Sequence, residues 1–579
     1  MTTMLSRRAR RALPLLLATS LVAGSCAPAA QATDTPVQLD RTGRTTSGMV
    51  VSANQIASDV GAEVLRNGGN AVDAAIATGL ALAVVHPTAG NIGGGGFMVI
   101  RFPDGRTTAL DFREKAPLAA HSEMFVDPAT GEYSSTIHHR SHLAVGVPGT
   151  VAGFDYAHRR YGTAEWSALV QPAVTLAAEG FPLSENLARS FANVLRSMQD
   201  YPASVAKFSN DGTPYAEGHV WTQPDLASTL ARIRDERSDG FYAGETARLL
   251  AAEMERGGGM ITLEDLERYE PREMAPVTGT YRGYDIISMP PPSSGGIAMV
   301  EMLNILEGFD LRGMGHNTAP YIHHLAEAMR RAYRDRAQHV ADPEFADVPV
   351  ERLTSKWYAA ELRSDIDPNR ASVSSPEDIM VPAESDQTTH YSVVDGNGLA
   401  VSVTYTLEQG YGSKIVVPGA GFLLNNEMGD FNPRPGLTTE TGLIGTEPNL
   451  ARPEQRMISS MTPSILARDG ELVAVFGSPG GRTIINTVMQ MVLNIVDHQM
   501  PIDQAVAAKR IHHQWLPDRI RIEADGTTEQ VLEQLRAMGH EVQMGGRQGS
   551  VHAIMIDPRT GERIGAADAR DADSGSAGF

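Results

Sequence analysis

The chain has one cysteine in 579 residues, Cys26, so no disulfide can form within it. It is also short of positive charge. Lys and Arg number 49 against 69 Asp and Glu, a net charge of −20. Nucleic-acid binding needs clustered Lys and Arg, and that balance excludes it as the expected partner. Long apolar runs are missing too. The most apolar stretch near the start, residues 12–24, is too short to span a bilayer. There are no internal repeats and no HExxH motif. Gly93 to Gly96 is followed by a hairpin pattern rather than a Lys-Ser/Thr and a helix, which excludes a phosphate loop. Neither a metal nor an organic cofactor is expected. Hydrophobic content of 42% and charged content of 20% are ordinary for a soluble globular protein.

What the chain does have begins with a targeting segment. Arg7, Arg8, Arg10 and Arg11 precede the apolar residues 12–24, the order of a secretory signal. Cys26 follows at once, in Ala23-Gly24-Ser25-Cys26, which resembles a bacterial lipoprotein box. An ordinary signal cut near Ala29-Ala30-Gln31 is the other reading, and the paired arginines also weakly resemble a twin-arginine signal. Residues 1–30 are thus read as a signal segment with Cys26 as a candidate lipidation site, and residues 31–47 as a polar tether. The expected location is exported, periplasmic or extracellular, with membrane contact only through a lipid anchor.

Pattern reading predicts strands over 48–53, 390–395, 399–407, 472–476 and 551–556. It predicts helices over 55–67, 71–85 and 483–496, and a hairpin joining 96–102 to 106–112. Residues 151–356 read as mostly helical, broken at 289–296. Residues 364–387 turn polar and proline-bearing and read as a mobile segment. Residues 574–579 read as a disordered tail. The length alone suggests roughly four domain-sized units.

The most informative junction is Gln387-Thr388, where the polar segment meets a strand. Chain cleavage there frees an α-amino group beside the Thr388 hydroxyl. Such an amine has a pKa of roughly 7.7–8.0 and serves as general base for its own side chain. The hairpin register adds a geometric expectation. With Gly396-Asn397-Gly398 as a three-residue loop, Asp395 pairs with Leu399, and counting back sets Thr388 opposite Thr406. A two-residue Asn397-Gly398 loop sets Leu407 there instead. Taken alone, Thr-Thr and Thr-Tyr-Thr are also what β-propensity produces.

Further motifs change that balance: Leu110-Asp111-Phe112-Arg113-Glu114, Leu424-Asn425-Asn426-Glu427-Met428-Gly429-Asp430-Phe431, Ile458-Ser459-Ser460-Met461-Thr462-Pro463 and Gly477-Ser478-Pro479-Gly480-Gly481. With Thr388-Thr389-His390-Tyr391, Asn70-Ala71-Val72-Asp73-Ala74-Ala75 and His86-Pro87-Thr88, the set resembles the γ-glutamyltranspeptidase (glutathione hydrolase) family of N-terminal-nucleophile hydrolases. The resemblance runs from about Gly48 to Ala567.

It implies an α+β fold, a four-layer αββα sandwich formed by one interwoven unit. It implies a precursor that cuts itself between Gln387 and Thr388 into a large subunit, 48–387, and a small catalytic subunit, 388–579, which remain together as a heterodimer. By the same resemblance Thr388 is the nucleophile, Thr406 orients it, and the amides of Gly480 and Gly481 stabilise the oxyanion. Arg113 grips the substrate α-carboxylate, aided by the hydroxyls of Ser459 and Ser460. Glu427 and Asp430 hold the α-ammonium. The implied partners are γ-glutamyl compounds such as glutathione, with water or an amino acid or peptide as acceptor.

Two positions depart from the family pattern. Many members carry Asn at Glu408, which here becomes a third candidate carboxylate for the ammonium, with like-charge repulsion raising one carboxylate pKa. Thr441 stands where an aromatic often closes the lid formed by residues 435–454. Three histidines, His138, His139 and His142, read as solvated loop residues rather than metal ligands, and His512-His513 as packing. The competing readings are a glutaryl-type amide acylase of the same fold, which needs no ammonium site, and a non-catalytic binding lipoprotein, which needs no intact Thr388, Thr406, Gly480 and Gly481.

Overall fold

The computed structural model describes residues 39–376, 388–437, 439–441 and 443–579. Cys26, the predicted signal segment, residues 31–38 and residues 377–387, with Gln387 among them, lie outside the described residues; the described part of the segment read as mobile, 364–376, is instead tied down, the amides of Ala371, Ser372 and Ser374 donating to Met538 O, Glu327 and Asp518. Residues 39–579 form one compact unit, not four.

Two seven-stranded antiparallel sheets lie at its centre, counting described residues. The first runs Gly575–Gly578, Met49–Ser52, Thr389–Val394, Ala400–Thr406, Gly95–Arg101, Thr107–Phe112, Arg272–Met274. The second runs Arg44–Thr45, Arg563–Ala567, His552–Ile556, Glu471–Phe476, Ser464–Arg468, Tyr284–Ser288, Val277–Tyr281. The central strands are buried on both faces, and Thr389–Val394 and Ala400–Thr406 have no exposed residue. One apolar core joins the first sheet to the helices Ala71–Val85, Thr150–Tyr161 and Trp166–Glu179. A second core joins the other sheet to Gly295–Leu306, Ala319–His339 and Thr483–Val496. Helices outside, sheets inside: the architecture is the four-layer αββα sandwich.

The Asn70 motif has a structural use. Asn70 Oδ1 accepts from the amides of Val72 (2.9 Å) and Asp73 (3.0 Å), while Asp73 Oδ2 accepts from the Asn70 amide at 2.9 Å. This capping box starts a helix in which every residue is buried.

Three expectations are corrected. Residues 574–579 are not a disordered tail: Gly575–Gly578 is an edge strand, with Gly578 opposite Met49. Its small residues reflect tight packing, since a Cβ on Gly575 would lie 1.8 Å from Gln55 Oε1. The tether reading fails for residues 39–47. Arg44–Thr45 pairs with Ile564 and Arg563, and Arg41 donates to the carbonyls of Asp571 and Ala572. The helical region 151–356 contains the strands Val277–Tyr281 and Tyr284–Ser288, joined by Arg282 (φ 48°) and Gly283 (φ 82°). Two consecutive positive φ values make the tight turn that matches strand twist.

Candidate active site

The site grows from the hairpin register. Thr389 pairs with Tyr405, and the amide of Asp395 donates to Leu399 O at 3.1 Å, so the three-residue loop holds. One step further out, Thr388 stands opposite Thr406. Both are buried, at 8% and 2% exposure. The Thr406 hydroxyl accepts from the Glu408 amide at 2.9 Å, and its carbonyl accepts from Asn91 Nδ2 at 2.8 Å. The glycine cluster explains how chain fits beneath it. Gly95 pairs with Thr406, and a Cβ on Gly94 would lie 2.1 Å from Thr406 O. These glycines serve close backbone approach.

The loop 477–482 leads into the buried helix Thr483–Val496. Gly480 and Gly481 have φ of 133° and 54°, values that favour glycine. A Cβ on Gly480 would meet Thr483 Oγ1 at 2.5 Å. The carbonyl of Gly480 accepts from Thr483, and that of Gly481 from Ile484. The two amides thus stand at a helix N-terminus, where N–H groups and the helix dipole favour negative charge.

The third part is a buried charge cluster. Arg113, 1% exposed, donates to Glu427 and Asp430, and to Ile458 O at 2.9 Å; Glu114 is 4.0 Å away. Burial pushes the Glu427 carboxyl up to about 8; Arg113 opposes the rise and Glu114 adds to it. Glu114 likewise rises to about 8, chiefly by burial. The repulsion that raises Glu427 comes from Glu114 rather than from Glu408 or Asp430, the carboxylates expected from sequence, and it is secondary to desolvation. Burial alone would lower the Arg113 pKa, but Glu427, Asp430 and Glu114 outweigh it and the net shift is upward.

The supporting residues are those that sequence reading missed. Asn425 fixes the turn Glu427–Asp430: its Oδ1 accepts from the Glu427 amide (3.0 Å) and its Nδ2 donates to Gly93 O (2.9 Å) and Gly146 O (2.8 Å). Asn426 Nδ2 donates to Glu408. Glu408 has φ 75°, a left-handed conformation uncommon for this residue type. Arg336, buried in Ala319–His339, donates to Ser294 Oγ (2.8 Å) and Ser460 Oγ (3.2 Å). The Pro-Ser-Gly break carries Ser294, whose amide donates to Ser459 O at 2.8 Å. Asn425 and Asn426 stood inside a quoted motif; nothing in the pattern marked Arg336.

One small cavity collects Arg113, Thr388, Thr406, Glu408, Glu427, Asp430, Ser459, Ser460 and Gly481. Gly480 lines a second cavity that also reaches Thr388. The nine other site residues singled out from sequence therefore each share a cavity with Thr388. The described part of 435–454 does not line the small cavity. Thr441 is exposed and its hydroxyl lies 2.8 Å from that of Thr439.

The solvated reading of the histidines is corrected. His138 is 1% exposed, with Nε2 3.2 Å from Met428 O, and His142 Nε2 lies 2.9 Å from buried Glu253. They pack beneath the Glu427–Asp430 turn, and burial lowers the pKa of His138 well below the usual value. His512 and His513 are buried as read.

One group of described residues has metal-ligand chemistry: His323, Glu327 and His540. Its donors are already committed. His323 Nδ1 is 2.8 Å from His540 Nε2, and His323 Nε2 is 2.9 Å from Asp367 O. Glu327 accepts from Arg331 (2.7 Å) and from the Ser372 amide (3.0 Å). Burial raises the Glu327 pKa, but Arg330, Ser372 and Arg331 override it and bring the carboxyl to about 2. A depressed carboxyl pKa stabilises the fold above the unfolded value, near 4.5, and that contribution disappears as pH falls through about 2. Glu327→Gln is expected to lower unfolding free energy by about 3 kcal/mol at pH 7. Urea titrations should show the deficit shrinking below about pH 4.5. A deficit that does not vary with pH would mean that the carboxylate charge is not what stabilises.

Comparisons with known proteins agree with the geometry. Residues 57–578 match the profile of the Gamma-glutamyltranspeptidase family. The chain is 45% identical over 570 residues to a "Glutathione hydrolase proenzyme" of Escherichia coli (strain K12), covering 97% of this chain and 98% of that protein. Among solved structures it resembles a cephalosporin acylase from Bacillus halodurans, with TM-score 0.82, 27% identity, and coverage of 95% and 99% of the two chains. It also resembles the Helicobacter pylori gamma-glutamyltranspeptidase, with TM-score 0.55 and 43% identity over 58% of this chain and 95% of that one.

Proposed function

The chain belongs to the gamma-glutamyltranspeptidase family, and from that premise we propose that it acts on glutathione and other γ-glutamyl amides through an ester on Thr388. The proposal includes cleavage between Gln387 and Thr388, which leaves residues 48–387 and 388–579 as two associated subunits. The observation that carries it is the convergence on Thr388 of two glycine amides, a second threonine and a buried Arg–carboxylate cluster.

In maturation the Thr388 hydroxyl attacks the Gln387 carbonyl and the C–N bond between the two residues breaks, the nitrogen taking the hydroxyl proton to become the free α-amine; water then hydrolyses the resulting ester, releasing the Gln387 carboxylate and restoring the Thr388 hydroxyl. In turnover that amine takes the hydroxyl proton as Oγ attacks the γ-glutamyl carbonyl. The proton passes to the departing amine as the C–N bond breaks. Water or an acceptor amine then attacks the ester and Thr388 regains its proton. Thr406 orients the nucleophile. The amides of Gly480 and Gly481 receive the oxyanion, each such donor contributing about 2.7–4 kcal/mol to the barrier reduction.

The donor head group is a zwitterion, and the pocket is built as the matching pair. Its carboxylate takes the fork of Arg113, with hydroxyls from Ser459 and Ser460, and its ammonium takes Glu427 and Asp430. Arg113 exchanges its present partners for the substrate carboxylate, and the substrate ammonium takes over from Arg113 the role of opposing the burial that raises the Glu427 pKa, so each buried charge keeps an opposite one. An acylase reading draws support from the B. halodurans structure. A glutaryl chain has no ammonium, however, and would leave Glu427 and Asp430 without the cation that replaces Arg113. The test is hydrolysis of γ-glutamyl anilide against glutaryl anilide. A clear preference for γ-glutamyl is expected; a preference for glutaryl would overturn the reading.

Glu408 is proposed as the third carboxylate of the ammonium site. His139 Nδ1 lies 3.9 Å from it, with a pKa brought to about 4 chiefly by burial, and Glu408 also acts on the Lys414 cation, whose pKa it raises against burial. Glu408→Gln is expected to weaken γ-glutamyl binding by about 3- to 10-fold and to remove this group's contribution to the acid limb of kcat/KM. Identical pH profiles for the two proteins would show that Glu408 carries no charge onto the substrate.

Export rests on the arginine-led apolar residues 12–24, and lipid anchoring on Cys26. Intact-mass analysis of the membrane and soluble fractions distinguishes a lipidated start at Cys26 from a cut near Gln31.

A further inference from the structure

A further cavity, about 310 Å³, shares no lining residue with the two at Thr388. That volume is at the lower end for small-molecule pockets. Lys207, Tyr215, Asp225, Leu226, Val416 and Pro418 are among the residues that line it. Its walls come from both sides of the Gln387-Thr388 junction. Helix Pro202–Phe208 carries Lys207, helix Pro224–Glu236 opens with Asp225 and Leu226, and chain 416–421 lies across them. Each wall is pinned. Ser204 Oγ donates to Lys414 O (2.7 Å) and accepts from the Val416 amide (3.0 Å), and Thr229 Oγ1 donates to Ala420 O (2.8 Å). Gly421 has φ 74°, and a Cβ there would lie 2.5 Å from the Leu226 amide nitrogen. Only glycine lets the two walls meet so closely. The cavity is thus a formed pocket held by fixed backbone.

We propose that this pocket is a ligand site separate from Thr388, in which Lys207 captures a small apolar aldehyde as an imine. The amine is aimed and held. Lys207 Nζ donates to Gln223 Oε1 at 2.6 Å, and buried Gln223 is itself fixed by donating to Val84 O at 3.0 Å. Nζ stands 5.1 Å from the centroid of the Trp221 ring and 5.8 Å from that of Phe208. Its hydrogen-bond partner among the described residues is therefore an amide, in an aromatic setting, and not a carboxylate. Burial lowers the Lys207 pKa to about 7, and Asp225 opposes that fall. At neutral pH a large share of Lys207 is then neutral amine, which is the nucleophilic form. Leu226, Val416, Val417 and Pro418 offer the carbon skeleton an apolar wall. Asp225 in the same pocket repels an anion, so the group recognised is an uncharged carbonyl. In the reaction the nitrogen lone pair forms a C–N bond to the carbonyl carbon, and one nitrogen proton passes to the oxygen. The C–O bond of the carbinolamine then breaks. The second nitrogen proton leaves with the hydroxyl as water, and a C=N bond remains. The Asp225 carboxylate can carry protons from nitrogen to oxygen.

The experiment treats the purified protein with benzaldehyde and cyanoborohydride, which fixes an imine as a benzylamine, and maps the adducts by peptide mass spectrometry. Lys207 is expected to react at least about ten-fold faster than Lys115, Lys356 and Lys509. Its rate should level off above about pH 7, whereas an ordinary lysine gains rate up to about pH 10. Lys207→Arg keeps the charge and should lose this adduct while hydrolysis of γ-glutamyl anilide stays unchanged. Ala206→Trp keeps the amine and adds an indole to a residue that lines the pocket, so it should slow reaction at Lys207 by about ten-fold. Reaction at Lys207 no faster than at the other three lysines would overturn the proposal. Equal rates in wild type and a folded Ala206→Trp variant would show a reactive amine without a pocket, and would overturn it too. The readout is the adduct on the lysine itself, so a protein that fails to cleave γ-glutamyl donors leaves this result standing.

Discussion

Thr388→Ala is expected to remain a single chain and to lose at least about 10⁴-fold in γ-glutamyl hydrolysis. Both effects come from one atom. The hydroxyl is the proposed attacking group in self-cleavage and in turnover, and no neighbouring side chain can substitute for it. Thr406 Oγ1 is held by the Glu408 amide, and Ser459 Oγ by the Met461 amide at 3.1 Å. Thr388→Ser keeps the hydroxyl and should still split into two fragments, which separates loss of chemistry from loss of folding. A denaturing gel of the three proteins reads the first effect and an anilide assay the second. Cleavage of the alanine variant would remove Thr388 from maturation.

Arg113→Lys is expected to raise KM for γ-glutamyl donors by about 100-fold, some 2.7 kcal/mol, while the chain still cuts itself. The fully buried guanidinium makes contacts in several directions at once: Glu427, Asp430 and Ile458 O. A lysine ammonium is a point charge on a flexible stem and cannot span that set or present a planar fork to a carboxylate. A charged hydrogen bond left unmade in a buried site costs about 1.5–3 kcal/mol. The proposed self-cleavage would draw on Thr388, Thr406 and the glycine amides rather than on the ion pairs of Arg113. Steady-state kinetics with a gel of the purified variant checks both halves. Unchanged KM would reduce Arg113 to a structural ion pair.

Much of this arrangement was legible in the sequence because it is local. The Gly396-Asn397-Gly398 turn fixes the register of its own two strands, and the register alone sets Thr388 opposite Thr406. Helices 71–85 and 483–496 announce themselves by composition and by their caps or glycine entries. Three features were not legible, each for a different reason. Gly575–Gly578 looks like a loose tail because the edge strand packs by backbone and has little room for side chains. Val277–Tyr281 and Tyr284–Ser288 were absorbed into a helical stretch although Arg282-Gly283 is a turn signal. The partners of Arg113 and Ser460 depend on contacts across hundreds of residues, such as Arg113 with Glu427 and Arg336 with Ser460. No local pattern encodes those. The burial that pushes Glu427 up to about 8 is likewise a property of the packed cluster, not of its motif.

The most direct measurement is mass spectrometry of wild-type protein quenched in acid during turnover of a γ-glutamyl donor. The prediction is a small fragment beginning Thr388-Thr389-His390-Tyr391, with one γ-glutamyl unit attached to its first residue. A γ-glutamyl adduct on any other residue, or full turnover by a chain still intact across Gln387-Thr388, would contradict the assignment of Thr388 as an N-terminal nucleophile.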